Sequence, residues 1–272
     1  MERIQEALNK ARKERDQHIG NHNLPRNPED KTIFNKIDPA SKKSSINIEY
    51  STSLQIHFSD EELKSKNIVA GFAHDPKSEP YRQLRTQVLQ KMRAQKYRSL
   101  AITSPRERNG KTLTSLNLAI SLSQDVNQTV ILVDLDLKNP SIAKTLGINN
   151  VEFGIIDYLN GNASLEQILI NPGFNRLVIL PGLPQGPYSS EVLASPEMKT
   201  IHNELLDRYE DRIIIYDLPA LLNSDDALVF TPFVDATLLV VEDGGSSKNE
   251  LERSLDLLKN SHLLGTVINN IR

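Results

Sequence analysis

An apolar run, Ser99-Leu100-Ala101-Ile102, breaks into Thr103-Ser104-Pro105-Arg106-Glu107-Arg108-Asn109-Gly110-Lys111-Thr112 and resumes as an amphipathic stretch from Leu113 to Ser123. No other feature constrains this chain as much. A buried strand that turns into Gly-Lys-Thr at the start of a helix is a setting in which backbone N–H groups and the helix N-terminus face an anion. Lys111 is then placed to reach outer phosphates, and the Thr112 hydroxyl to ligate magnesium. Two further apolar runs end in acid: Val130-Ile131-Leu132-Val133-Asp134-Leu135-Asp136, and Ile213-Ile214-Ile215-Tyr216-Asp217. These are the carboxylates that a site for ATP and Mg2+ requires.

The loop departs from the pattern G-x-x-x-x-G-K-[ST]. Pro105 stands at the first glycine and Gly110 is the only glycine present. Glycines serve such turns because they accept positive φ and let backbone amides approach a ligand; proline also removes a donor. Arg106 and Arg108 add positive charge able to contact phosphate oxygens directly. With Asn109, Gly110, Lys111, Thr112 and Leu113 they form the expected nucleotide-contacting stretch.

From Ser99 onward apolar strands alternate with helical patterns. Strands are predicted near 99–103, 129–134, 176–181, 212–217, 236–242 and 264–269, and helices near 111–123, 154–160, 164–170, 196–209, 224–231 and 247–260. This alternation predicts an α/β fold of the P-loop NTPase type, a mostly parallel sheet with helices on both faces. Ligands of such sheets bind at the carboxyl ends of the strands, where Asp134, Asp136 and Asp217 lie. Asp134 and Asp136, two apart on one strand, share a face. One could hold magnesium while the other accepts a proton, or the pair could cap the following turn.

Upstream, Ser59 before Asp60-Glu61-Glu62 and Ser78 before Glu79-Pro80 mark helix starts, the second helix running to about Ala94. Residues 1–52 read as an N-terminal piece: Ile4, Ala7, Leu8 and Ala11 at helical spacing on a charged stretch, then a mobile linker rich in Asn, Pro, Lys and Ser. Residues 53–272 read as the ATPase domain. The chain's 32 basic and 35 acidic residues leave a net charge of −3, and no basic patch carries interleaved aromatics, so a nucleic-acid partner is not expected. With no cysteine there is neither a disulfide nor a thiolate metal site, which fits the cytoplasm. No apolar run approaches the roughly 18 residues of a spanning helix, so membrane recruitment would come through a partner.

Val-Ile-Leu-Val-Asp-Leu-Asp-Leu-Lys-Asn-Pro (130–140) resembles the second Walker-type motif of bacterial tyrosine kinases (BY-kinases), the ATPases of capsule and exopolysaccharide export, and Ile213 to Ala220 resembles their Walker B strand. Glu79-Pro-Tyr-Arg82-Gln-Leu-Arg85 fits their E-x-x-R-x-x-R helix. Stretches 154–161, 189–195, 224–228 and 265–269 continue the likeness, which covers about residues 55–270. The opening Met-Glu-Arg-Ile-Gln-Glu-Ala-Leu resembles stand-alone members whose membrane subunit is a separate polypeptide.

That resemblance implies phosphate binding by Lys111, magnesium organised by Thr112 and Asp217, and metal binding and proton acceptance shared by Asp134 and Asp136. Asn269 would contact the adenine. Glu79, Arg82 and Arg85 would bridge subunits of a homo-oligomer, although Glu79 and Arg82 at i,i+3 also fit an ordinary exposed pair. A membrane-embedded chain-length regulator is the implied partner. Lys138 stands where the second motif commonly has arginine, and the chain as written lacks the family's C-terminal tyrosine cluster. Its last tyrosine, Tyr216, is expected in a core strand, leaving Tyr50 as the one freely presented tyrosine. The leading expectation is a protein-tyrosine kinase, the alternative a kinase-inactive ATPase switch or scaffold. A partition-type ATPase fits the fold, but not the absent basic surface or the E-x-x-R-x-x-R helix.

Overall fold

Valine, isoleucine and leucine crowd the runs marked as strands, and side chains of this kind suit a pleated surface covered on both faces. The structure is a computed structural model and describes residues 54–208 and 211–270. The N-terminal helix and linker expected over 1–52, with Tyr50, lie outside the described residues. In chain order the strands are β1 (Leu54–Gln55), β2 (Ser99–Thr103), β3 (Thr129–Asp134), β4 (Ile170–Asn171), β5 (Leu177–Leu180), β6 (Arg212–Asp217), β7 (Ala236–Glu242) and β8 (Leu263–Asn269). Before β2 lie helices α1 (Asp60–Ser65) and α2 (Glu79–Gln95), and α3 (Lys111–Ser123) joins β2 to β3. Between β3 and β6 come α4 (Ile142–Leu146), α5 (Ile155–Leu159), α6 (Leu165–Ile168), α7 (Ser189–Leu193) and α8 (Pro196–Asp207), followed by α9 (Asp226–Phe230) and α10 (Lys248–Leu257).

The strands form one sheet in the order β1-β4-β5-β3-β6-β2-β7-β8. Every neighbouring pair is parallel except β4 with β5. Side chains alternate between faces along each strand. Leu100, Ile102, Val130, Leu132, Ile213 and Ile215 therefore join α2 and α3 in one core, while Ala101, Ile131, Val133, Ile214 and Tyr216 join α5 to α9 in the other. The alternation and strand positions of the sequence reading are borne out. Missed were β1, β4, α4 and α7, and the helix predicted near 164–170 ends at Ile168, ahead of β4; segments this short carry little periodicity, although the equally short α5 and α9 fall within predicted helices. The expected start of α2 also differs in detail, since a 3-10 turn over Pro76–Ser78 precedes it and Ser78 directs its hydroxyl to the Asp75 carbonyl instead of capping the helix.

The order β3-β6-β2 brings three carboxyl ends together. Asp134 and Asp217 are register partners on β3 and β6, and Asp217 is level with Ile102 on β2, one residue before that strand ends. Helix α3, which starts at this end, is fixed from behind by Asn117. Its buried amide accepts from the Val69 and Ala70 N–H groups at 2.8 and 3.0 Å and donates to the Asn67 and Leu113 carbonyls. Replacing it by leucine keeps the volume but strands two buried N–H donors, so Asn117→Leu should cost about 2–4 kcal/mol. Urea unfolding checks this, and a loss under about 1 kcal/mol would show that water or a shifted backbone satisfies those donors.

Candidate nucleotide site

The turn from β2 into α3 is held by hydrogen bonds where glycines are lacking. The Leu221 and Leu222 N–H groups donate to the Ser104 and Pro105 carbonyls, and the Ser104 hydroxyl donates to the Arg106 carbonyl. Asn109, 1% exposed, accepts the Arg106 N–H on its side-chain oxygen and donates to Glu242 at 3.2 Å. Arg108 takes the left-handed conformation at φ 64°, which costs a non-glycine residue about 1–2 kcal/mol. Gly110 is left-handed at φ 89°, and a Cβ there would lie 1.9 Å from the Asn269 amide nitrogen. Glycine is required at that position on both counts. Asn269, at the end of β8, donates to the Asn109 carbonyl at 3.0 Å, tying the last strand to the loop.

Behind the loop one cation meets three acids. Lys111 Nζ donates to Asp136 Oδ2 at 2.7 Å, with both side chains only 8% exposed. The Thr112 hydroxyl donates to Asp217 Oδ2 at 2.6 Å and lies 3.0 Å from the Ser141 hydroxyl. Ser115, one turn on, donates to Asp217 Oδ1 at 3.0 Å. Asp134 accepts the Ser141 and Ile142 N–H groups on Oδ2 and the Asp136 N–H on Oδ1. The turn-capping role weighed for the acid pair is thus observed for Asp134, while Asp136 faces Lys111.

Burial, and then the neighbouring Asp217 charge, push the Asp134 carboxyl up to about 7, against the pull of the Ile142 and Ser141 N–H groups. Asp217 is also raised, by burial, although Lys111 and the Thr112 and Ser115 hydroxyls oppose the shift. For Lys111 burial favours the neutral amine, but Asp217, Asp136 and Asp134 together hold its pKa above the ordinary lysine value.

The other expected contacts divide. Arg106 forms an ion pair with Glu250 on α10, a partner it would have to leave to make the phosphate contact expected of it. Arg108 is exposed on the loop, and Leu113 is partly buried against the α2/α3 core. Asn269 borders a cavity of about 580 Å³, lined also by Tyr81, Leu84, Leu113, Val267 and Ile268. Helix α2 therefore flanks the same site. On that helix Arg82 pairs with Glu79 and donates to the Ala73 carbonyl, while Arg85 donates to the Ser121 carbonyl near the end of α3.

The sequence reading missed Ser115 and Ser141. Ser115 was detectable, lying three residues after Thr112 on the helix; Ser141 reaches Thr112 only through the turn that Asp134 holds. Nor did it foresee Tyr188, which is 71% exposed, so Tyr50 is not alone as a tyrosine expected to be freely presented. Tyr216 is buried as expected. Among the described residues no group of three or more His, Cys, Asp or Glu could by itself hold a metal ion. The hydroxyl and carboxylate pair Thr112–Asp217 suits Mg2+, which commonly uses one or two protein oxygens together with phosphates and water.

A buried strand end, a lysine loop at a helix N-terminus and strand-end acids together define a P-loop nucleotide-binding protein. No family model matches the chain. It is 29% identical over 209 residues to the tyrosine-protein kinase YwqD of Bacillus subtilis (strain 168), covering 75% of this chain and 86% of that protein. It is 28% identical over 214 residues to the putative tyrosine-protein kinase CapB of Staphylococcus aureus, covering 76% and 92%. Among solved structures, the kinase domain of the Escherichia coli tyrosine kinase ETK aligns with a TM-score of 0.70 at 25% identity, over 82% of this chain and 91% of that one. The septum site-determining protein MinD of Pyrococcus horikoshii OT3, complexed with Mg-ADP, aligns with a TM-score of 0.52 at 26% identity, over 63% and 69%. In sequence and in fold the chain is similar to bacterial tyrosine kinases (BY-kinases).

Two buried acids with raised pKa values bind protons more tightly when folded than when unfolded. Their contribution to stability is therefore greatest below the unfolded value of about 4 and falls as pH rises, that of Asp134 being lost as pH passes through about 7. Lys111 offsets that loss. Lys111→Ala should cost about 3–5 kcal/mol at pH 8, and clearly less at pH 6, where the orphaned acids take up protons. Urea unfolding at the two pH values measures this, and an equal loss at both would show that the acids are already neutral.

Proposed function

We propose that the protein is a protein-tyrosine kinase and ATPase of exopolysaccharide synthesis or export, residues 53–272 carrying the activity. The observation that supports this most is the pair of contacts Lys111–Asp136 and Thr112–Asp217 at adjoining strand ends, joined to kinship with tyrosine-protein kinases. Phosphoryl transfer asks a protein mainly to position groups and to neutralise charge. In this reading Lys111 exchanges Asp136 for the outer phosphates of ATP, and the N–H groups of Gly110, Lys111, Thr112 and Leu113 cradle them. Thr112 and Asp217 hold Mg2+, which would neutralise charge on the transferring phosphoryl group. Asp136, freed from Lys111, is the candidate proton acceptor for the tyrosine hydroxyl. Asp134 keeps the turn that carries Ser141 in place and contributes negative charge near the metal. Asn269 and the cavity beside it would receive the base.

MinD, a structural neighbour, was solved with Mg-ADP, which supports a nucleotide and Mg2+ here. Mg-ATP should raise the melting temperature by mass action. Asp136→Asn should retain much of that shift while lowering phosphoryl transfer by about 10²–10⁴-fold. Asp217→Asn should instead weaken the dependence on magnesium. Calorimetry and turnover assays on both variants test the assignment, and parental turnover in both would show that the carboxylates are structural.

No helix among the described residues is long and apolar enough to cross a membrane. A membrane-embedded chain-length regulator is the partner this reading calls for, bringing the protein to the inner face of the membrane. Glu79, Arg82 and Arg85 would join copies into a homo-oligomer. Arg85 reaches the end of α3 within the chain, whereas among the described residues Arg82 is tied only to Glu79 and the Ala73 carbonyl and is a third exposed, so the informative variant is Arg82→Ala. Analytical ultracentrifugation with Mg-ADP should show an association that weakens with salt and is lost in this variant. Identical sedimentation of parent and variant would reduce Glu79 and Arg82 to a surface pair.

A further inference from the structure

The described tyrosines differ sharply in what they offer a kinase. Tyr216 is 1% exposed and its hydroxyl lies 2.7 Å from His202 Nδ1. Tyr158 donates to Glu204 at 2.8 Å, and Tyr81 and Tyr97 pack against the α2/α3 core. Tyr188 stands apart at 71% exposure.

Its place in the fold is as informative as its exposure. The segment leading to it runs along the carboxyl end of the sheet, against the second acid motif. A Cβ on Gly182 would lie 2.8 Å from the Asp134 carbonyl oxygen and 3.2 Å from Pro140, and Gln185 N–H donates to the Leu137 carbonyl at 2.7 Å. Behind Tyr188, helix α7 is pinned by Ser189 and Leu193, both fully buried, and α7 packs on α9, whose Asp226 takes Lys138 at 2.9 Å. Tyr188 thus sits near the rim of the nucleotide site on backbone fixed at both sides. Gly186 lies in open space, and Pro187 restricts the approach to the tyrosine. The phenol projects into solvent, where the site of another copy can approach it.

We propose that Tyr188 is a phosphoacceptor of this protein, modified by a second copy of the chain. This rests on the tyrosine-kinase reading above and names a substrate for it. The Tyr188 hydroxyl oxygen forms a bond to the γ-phosphorus of ATP held by the other copy. The bond from that phosphorus to the bridging oxygen breaks, and ADP leaves with the electron pair. The phenolic proton passes to Asp136 of the acting copy. The product is an aryl phosphate carrying about two negative charges on the rim of the acceptor's own site.

The test mixes untagged parent protein with tagged Lys111→Ala chain and, because that variant is destabilised, separately with tagged Asp136→Asn chain. Each mixture receives Mg-ATP, with a synthetic acidic tyrosine copolymer as a parallel substrate, and peptides are mapped by mass spectrometry. Phosphate at Tyr188 on the tagged, inactive chains is the expected result. Tyr188→Phe should lose that phosphopeptide while still phosphorylating the copolymer. Copolymer phosphorylation with Tyr188 unmodified on either chain overturns this inference and leaves the kinase reading standing. Phosphate at Tyr188 on the active chain alone overturns transfer between copies. Failure to phosphorylate any tyrosine, copolymer included, overturns the kinase reading and this inference with it.

Discussion

One lysine among three buried acids organises this protein. Asp134, Asp136 and Asp217 converge because β3 and β6 pair in register and β2 delivers Lys111 between them. Such a concentration of negative charge is unfavourable away from water unless a cation and hydrogen-bond donors answer it. Lys111 supplies the cation. The Thr112 and Ser115 hydroxyls and the Ser141 and Ile142 N–H groups supply the donors. The same arrangement prepares the site for chemistry, because a lysine and two hydroxyls already gathered at a helix N-terminus need little rearrangement to receive phosphates and magnesium.

The phosphate loop shows how hydrogen bonds can stand in for glycines. Where the common pattern relies on residues that turn freely, this chain fixes Pro105 and Ser104 by N–H donors from the segment after β6 and locks Asn109 between Arg106 and Glu242. Arg108 accepts a left-handed backbone, and only Gly110 is sterically irreplaceable. Arg106, drawn to Glu250, adds a tie from the loop to α10. The consequence is a loop fastened to β7, β8 and α10 together, so its geometry depends on parts of the chain more than 130 residues away.

Helix α2 links the site to the surface. Its inner side reaches α3 through Arg85 and borders the cavity beside Asn269, while Glu79 and Arg82 lie toward solvent. A ligand in that cavity would touch the helix whose outer charges are proposed to meet another copy. This is a short physical path between nucleotide and assembly, with α2 as the common element.

The alternation of apolar strands with helical patterns, and the placement of Lys111, Thr112, Asp134, Asp136 and Asp217 at element ends, were legible in the sequence because periodicity and local turn chemistry are written in neighbouring residues. The identity of Gly110 as the indispensable loop residue could be read in the same way. Partnership could not. That Arg106 meets Glu250, that Arg85 serves Ser121 and that Ser141 joins Thr112 depend on strand order, which brings together residues distant along the chain. The exposure of Tyr188 was equally a tertiary matter: it heads a helix at the rim, whereas Tyr216, at the end of an apolar run, faces the second core as its sequence setting led one to expect. Local sequence set which elements form and where their polar ends lie; the packing of the sheet between its two helical layers decided which of those ends touch, because burial and pairing are properties of the assembled chain.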